Sequence, residues 1–229
     1  IPADFKLNEK QRLQLEAVSK GEAHLDRAGI GAFLEALKYP LYYLDFETFS
    51  PAVPLYDGMR PYQRVPFQYS LHVVAAPGAP ASHYSYLMPD RADPRPTLLA
   101  GMRAQLGDGG SVVVYNQSFE QGVFKELAEA FPEYADWCQG ITARMVDLLQ
   151  PFRGFLYYHP DQMGSASMKK VLPVLTGHGY GDLNISDGEY ASVRFFSTTF
   201  GEAPPAEREQ VRADLEVYCG QDTEGMIWI

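Results

Sequence analysis

The run Leu41-Tyr-Tyr-Leu-Asp45-Phe-Glu47-Thr48 sets two carboxylates two residues apart inside an otherwise apolar, aromatic stretch. A strand alternates its faces, so Asp45 and Glu47 are expected to point one way while Leu44 and Phe46 face the opposite layer. Two acids on one face of a buried strand are destabilising unless they are paired or bind a cation, so the first chemistry they suggest is a divalent-metal site. The plainer alternative is an acid that caps a strand end or pairs with a surface lysine. The flanking Tyr42, Tyr43, Leu44 and Phe46 read as core strand and weigh against it.

Further acids fall where the chain could return to that edge. Glu120 lies in Tyr115-Asn-Gln-Ser-Phe-Glu120, just past a predicted strand and at the start of a helix, where α/β folds place ligands. Asp222 follows Tyr218 by four residues on the last predicted helix, so the two side chains share a face. Asp147, in Arg144-Met-Val-Asp147-Leu-Leu, is an additional candidate. Each has an ordinary alternative: Glu120 complementing a helix dipole, Tyr218 in the core, Asp147 paired with Arg144 on a helix surface.

These residues must be positioned by a mixed α/β chain. Residues 10–38 carry helical spacing with a break expected near Gly29 and Gly31, and read as a helical lead-in arm over 1–38 before a main domain over 39–229. After the Asp45 strand, a proline- and glycine-rich connection over 50–66 leads to predicted strands at 67–74 and 83–87. A helix follows over 93–106, then the β-branched strand 111–115 and a helix over 118–130. Residues 141–152 read as helical, 168–175 as a short helix, and the last helix runs from 205 beyond 222. Three antiparallel strands followed by alternating helix and strand give a mixed sheet flanked by helices.

The totals narrow the function classes. With 229 residues, 46% of them hydrophobic, the chain can bury one sizeable core. A net charge of −10 disfavours broad attraction to phosphates, so a nucleic-acid substrate would require metals or a local basic patch. The two cysteines, Cys138 and Cys219, lack metal-type spacing and suit a reducing compartment, with the cytoplasm as the expectation. The five histidines form no zinc pattern, and neither a phosphate-binding glycine loop nor a serine-hydrolase elbow occurs. No apolar window reaches transmembrane length, and the ends Ile1 and Met226-Ile-Trp-Ile229 suggest a piece of a longer protein.

In their order, these motifs resemble the DEDD superfamily of 3′–5′ exonucleases, which have a ribonuclease-H-like fold. Asp45-Phe-Glu47-Thr48 resembles its first motif, Asn116-x-x-Phe119-Glu120 its second, and Tyr218-x-x-x-Asp222 its third in the tyrosine-type variant. Asp147-Leu-Leu and Ser167-Met-Lys-Lys-Val-Leu172 are similar to elements between them, so the resemblance spans residues 39 to 225. One departure stands out: the second motif usually ends in Asp, and here it ends in Glu120. At a finer level, Asp57-Gly-Met-Arg-Pro-Tyr62, Pro66-Phe-Gln-Tyr-Ser-Leu-His72, Asp93-Pro-Arg95 and Tyr158-His-Pro160 resemble an uncharacterised bacterial domain family. In that family the module often follows a PD-(D/E)xK-type nuclease module in one polypeptide.

The resemblance implies a metal-dependent exonuclease acting on nucleic-acid ends, with single-stranded DNA favoured and RNA open. It implies that Asp45, Glu47, Glu120 and Asp222 hold two Mg²⁺ or Mn²⁺ ions about 3.5–4 Å apart, clamping the attacking and leaving oxygens of the scissile phosphodiester. In that scheme Asp45 bridges, Glu47 and Asp222 serve the water-activating metal, Glu120 the metal nearer the leaving group, and Tyr218 orients the water. Candidate substrate contacts are Thr48, Asn116, the Arg60, Tyr62, Arg64, Phe67 cluster, and Lys169 with Lys170, each of which reads equally as an ordinary turn or surface residue. The rival expectation is a non-catalytic ribonuclease-H-like module that binds nucleic acid or a protein.

Overall fold

The computed structural model describes residues 5–229, so the first four residues of the expected lead-in arm lie outside the described residues. Helix α1 (Glu9–Lys20) starts at a capping box in which Asn8 and Gln11 satisfy each other's backbone N–H, and it stops at Gly21 in a left-handed conformation (φ 68°). The short strand β1 (His24–Leu25) pairs antiparallel with Tyr157–Tyr158, and α2 (Arg27–Glu35) follows under an Asp26 cap. The break expected at Gly29 and Gly31 falls instead at Gly21: both glycines continue α2, whose Phe33 and the following Leu37 pack on the main core. Partial burial of that apolar face outweighs the modest helix penalty of two glycines.

The central sheet comprises β2 (Leu41–Phe49), β3 (Val65–Val74), β4 (Ala81–Leu87), β5 (Ser111–Val114) and β6 (Met145–Asp147), in the order β4-β3-β2-β5-β6. The first three strands are antiparallel, and β5 and β6 run parallel to β2. This is the expected ribonuclease-H-like mixed sheet, flanked by helices on both faces. One face carries Tyr42, Leu44, Phe46, Val112 and Val114 beneath α3 (Arg95–Gln105), α4 (Gln117–Ala130) and α5 (Ala135–Thr142). After the short helix α6 (Gln150–Arg153) and β7 (Tyr157–Tyr158), the other face is covered by α7 (Met168–Thr176), α8 (Gly188–Phe200) and α9 (Pro205–Trp228).

The β2–β3 register slips between Glu47 and Thr48, with Glu47 opposite Gln68 but Thr48 opposite Pro66. This bulge inverts the phase of β3, so Phe67 and Val65 join the α8–α9 core whereas Tyr69 and Leu71 join the opposite one. Phe67 stacks on Phe195 of α8 at 3.9 Å between centroids. The helix expected over 141–152 is broken: α5 ends at Thr142, and Met145–Asp147 leaves to pair with Val112–Val114 as β6. A row of parallel hydrogen bonds to a buried strand outcompetes the local helical spacing. Among the described residues, no helix is long and apolar enough to cross a membrane.

Candidate metal centre

Strand β2 presents Asp45 and Glu47 toward α9, as the alternation of the sequence requires. Helix α9 answers with Asp222, and one carboxylate oxygen from each of the three lies within 4.8 Å of the others. Polar contacts set the register of α9: Gln68 Nε2 donates to the Leu215 carbonyl (2.9 Å), and the Thr223 hydroxyl meets Ser70 Oγ (2.6 Å) and His72 Nδ1 (2.8 Å). One helical turn before Asp222, Tyr218 packs edge-on to Tyr180 of the α7–α8 connection, with ring centroids 6.2 Å apart. The Tyr180 hydroxyl donates to Asp222 Oδ1 at 2.5 Å, and the buried Cys219 thiol donates to Asp45 Oδ2 at 3.7 Å.

Glu120 enters from the opposite layer, in the first turn of α4 just past the end of β5. The turn is made by Asn116, exposed and in the left-handed region (φ 81°), whose N–H donates to Asp147 Oδ1 at 2.9 Å. Asp147 also accepts from the Leu149 N–H (3.0 Å) and Gln150 Nε2 (2.8 Å), so its carboxylate braces the β5–α4 turn. Glu120 is only 1% exposed, and its Oε2 has no hydrogen-bond partner among the described residues. It stands outside the group of three acids, yet its charge contributes to the upward shifts of Asp45 and Glu47.

Burial followed by mutual repulsion governs the electrostatics here. Asp45 is pushed well above the usual carboxylate range by burial and then by Asp222, Glu47 and Glu120. Glu47 rises to about 8, through burial and then Asp222, with Lys169 opposing. Glu120 also rises to about 8, mainly through burial. Asp222 rises only to about 6, because its phenol hydrogen bond from Tyr180 and the Lys169 charge offset part of its burial. Burial and the Asp222 charge drive the Tyr218 hydroxyl far upward, which keeps it a neutral hydrogen-bonding group.

Of the candidate substrate contacts, Lys169 reaches the acids: its ammonium lies 5.8 Å and 5.6 Å from the Tyr180 and Tyr218 ring centres. Arg64 is held by Glu126 through Nε, Nη2 and its backbone N–H and lies over the Phe119 ring, although its charge still reaches Glu120. Thr48 sits at the β2 bulge, Phe67 is fully buried in the core, and Arg60, Tyr62 and Lys170 are exposed. Sequence reasoning missed Tyr180, Cys219 and Gly188, where an added Cβ would sit 3.4 Å from Glu47 Oε2. Tyr180 lies in Gly177-His-Gly-Tyr180-Gly-Asp182, an aromatic among glycines with no periodicity to mark it.

An all-carboxylate donor set suits a hard divalent cation, and the unpartnered Glu120 Oε2 leaves a further oxygen for one. Asp45, Glu47 and Asp222 could hold one ion, and Glu120 stands outside that group.

Comparisons with known proteins place the chain without describing its chemistry. It is 30% identical over 134 residues to the uncharacterized protein UU173 of Ureaplasma parvum, covering 51% of this chain and 19% of that relative. It is 27% identical over 216 residues to the uncharacterized MG366 homolog of Mycoplasma pneumoniae, covering 85% of this chain and 32% of the relative. The chain thus spans a third or less of the curated relatives it matches. No solved structure matches it. The profile described as Domain of unknown function (DUF2779) matches residues 42–167, more than half of the chain and inclusive of Asp45, Glu47 and Glu120, and the chain belongs to that family.

Proposed function

We propose that this domain is a divalent-cation-dependent 3′–5′ exonuclease of the tyrosine-type DEDD class, trimming nucleic-acid ends with single-stranded DNA as the favoured substrate. The observation that carries the proposal is the convergence of Asp45, Glu47 and Asp222 from two distant segments, with the orphaned Glu120, whose charge reaches Asp45 and Glu47, as a further acid. Four acids, two buried and two half-buried, brought this close without a counter-ion would be destabilising, whereas Mg²⁺ or Mn²⁺ would turn that cost into binding energy. Two such ions would supply Lewis acidity and charge neutralisation for in-line phosphodiester hydrolysis. The chain's own part is to fix the carboxylates and to orient a water through the neutral Tyr218 hydroxyl. The Lys169 ammonium would attract the phosphate, and the exposed Tyr62 ring would stack a base.

The rival reading, a binding module without catalysis, draws support from one observation: Glu120 stands outside the three-acid group. Incubation of 5′-labelled single strands with Mn²⁺ separates the two. Stepwise shortening from the 3′ end by the native chain, lost in Asp45→Ala, supports the exonuclease. Binding without shortening supports the rival, and shortening that survives Asp45→Ala contradicts both.

A further inference from the structure

The α7–α8 connection holds the acid cluster from two sides. At one end Tyr180 Oη donates to Asp222 Oδ1 at 2.5 Å, and at the other Gly188 faces the Glu47 carboxylate, an added Cβ there coming 3.4 Å from Oε2. The connection is itself fastened to α9, through Gln221 Nε2 to the Gly179 carbonyl (2.9 Å) and Asn184 Nδ2 to Asp214 Oδ1 (3.0 Å). Tyr180 is buried in the core beside Tyr218, and the Lys169 ammonium lies over both rings, so the phenol has little freedom to turn away. One side of the Asp222 carboxylate is therefore occupied by a donor.

We propose that Tyr180 is a positioning residue that makes Asp222 a one-oxygen ligand and thereby selects small octahedral cations over Ca²⁺. Mg²⁺ demands near-octahedral geometry, whereas Ca²⁺ takes six to eight oxygens and readily accepts both oxygens of one carboxylate. A carboxylate whose Oδ1 accepts a short phenol hydrogen bond offers a cation its other oxygen, which satisfies the first demand and denies the second. The inference rests on the cation site proposed above and adds its selectivity.

Equilibrium binding of Mn²⁺ and of Ca²⁺ to the native chain and to Tyr180→Phe tests it, with no need for turnover. The expected result is tighter Mn²⁺ than Ca²⁺ binding by the native chain, and a Mn²⁺-to-Ca²⁺ affinity ratio that falls by about tenfold or more in the variant, the scale on which ligand-orienting partners act. Asp222→Asn keeps an acceptor for the phenol but loses the charge, and should weaken both ions. Tyr180→Met gives a second donor-free chain should the phenylalanine variant fail to fold. An unchanged ratio in a folded donor-free variant overturns the selectivity while leaving the cation site intact; failure of the native chain to bind either ion overturns both.

Discussion

The Thr223 and Ser70 hydroxyl oxygens lie 2.6 Å apart, joining the last helix to the residue paired across the sheet with Asp45. Thr223 also meets His72 Nδ1 and is fully buried, so with the Gln68 bond to Leu215 its hydroxyl fixes how α9 lies on β3 and with it where the adjacent Asp222 falls. Thr223→Val preserves shape but leaves His72 Nδ1 without its partner, while Ser70 keeps only its bond to His83. A loss of about 1–3 kcal/mol is expected, read as a lower urea midpoint with unchanged slope, together with weaker Mn²⁺ binding.

Stability of the cation-free chain is expected to fall with rising pH. Glu47 and Glu120 titrate near 8 when folded against 4.5 for an ordinary Glu, so the folded chain holds the extra protons across that window. Their contribution is complete below the unfolded value and is lost as pH climbs through the folded one. His72 acts in the opposite sense: burial and the stacked His83 depress it to about 4 from 6.5, so stability is gained as pH rises to 6.5 and is flat beyond. Thermal melts in chelator should therefore decline between pH 6.5 and 8, where the acids act alone. Saturating Mn²⁺ should abolish the decline.

Glu120→Gln separates the charge of that residue from its shape. With no partner for Oε2, the neutral amide should raise the melting temperature of the chelator-treated chain at pH 8. The same substitution should shrink the melting-temperature increase caused by Mn²⁺ and slow strand shortening. A cation-free chain destabilised by the change would mean that Glu120 is held by interactions other than a cation.

Tyr62 is 71% exposed and adopts φ 57°, on the connection that runs from the Glu47 strand to Arg64, whose charge reaches Glu120. Under the proposed function this exposed ring would stack a base of the substrate. Tyr62→Ala should leave the urea midpoint nearly unchanged and weaken single-strand binding by about 1–3 kcal/mol. Equal affinity for the native and variant chains in fluorescence anisotropy would remove Tyr62 from the substrate path.

The sheet was legible because its strands declare themselves locally: alternation around Asp45 and the valine run at 112–114 specify faces and pairing without reference to distant residues. The acids Asp45, Glu47 and Asp222 were legible through motif order, which proximity then matched. What escaped depended on tertiary context. Met145–Asp147 became strand because β5 offered it an edge, and α8, with threonines, serines and aromatics on several sides, carries no clean stripe. Tyr180 could not be read because its partner Asp222 lies 42 residues away and only the packed connection joins them.

Release of mononucleotides from a single strand in Mn²⁺, compared for the native chain and for Asp45→Asn, Glu47→Gln and Asp222→Asn, probes the acid centre most directly. The native chain should release them steadily and stop on addition of chelator. Each substitution should lower the rate by at least about 10²-fold, equivalent to several kcal/mol of lost transition-state stabilisation. Release that persists in chelator, or that is indifferent to all three substitutions, would contradict the centre assigned to Asp45, Glu47 and Asp222.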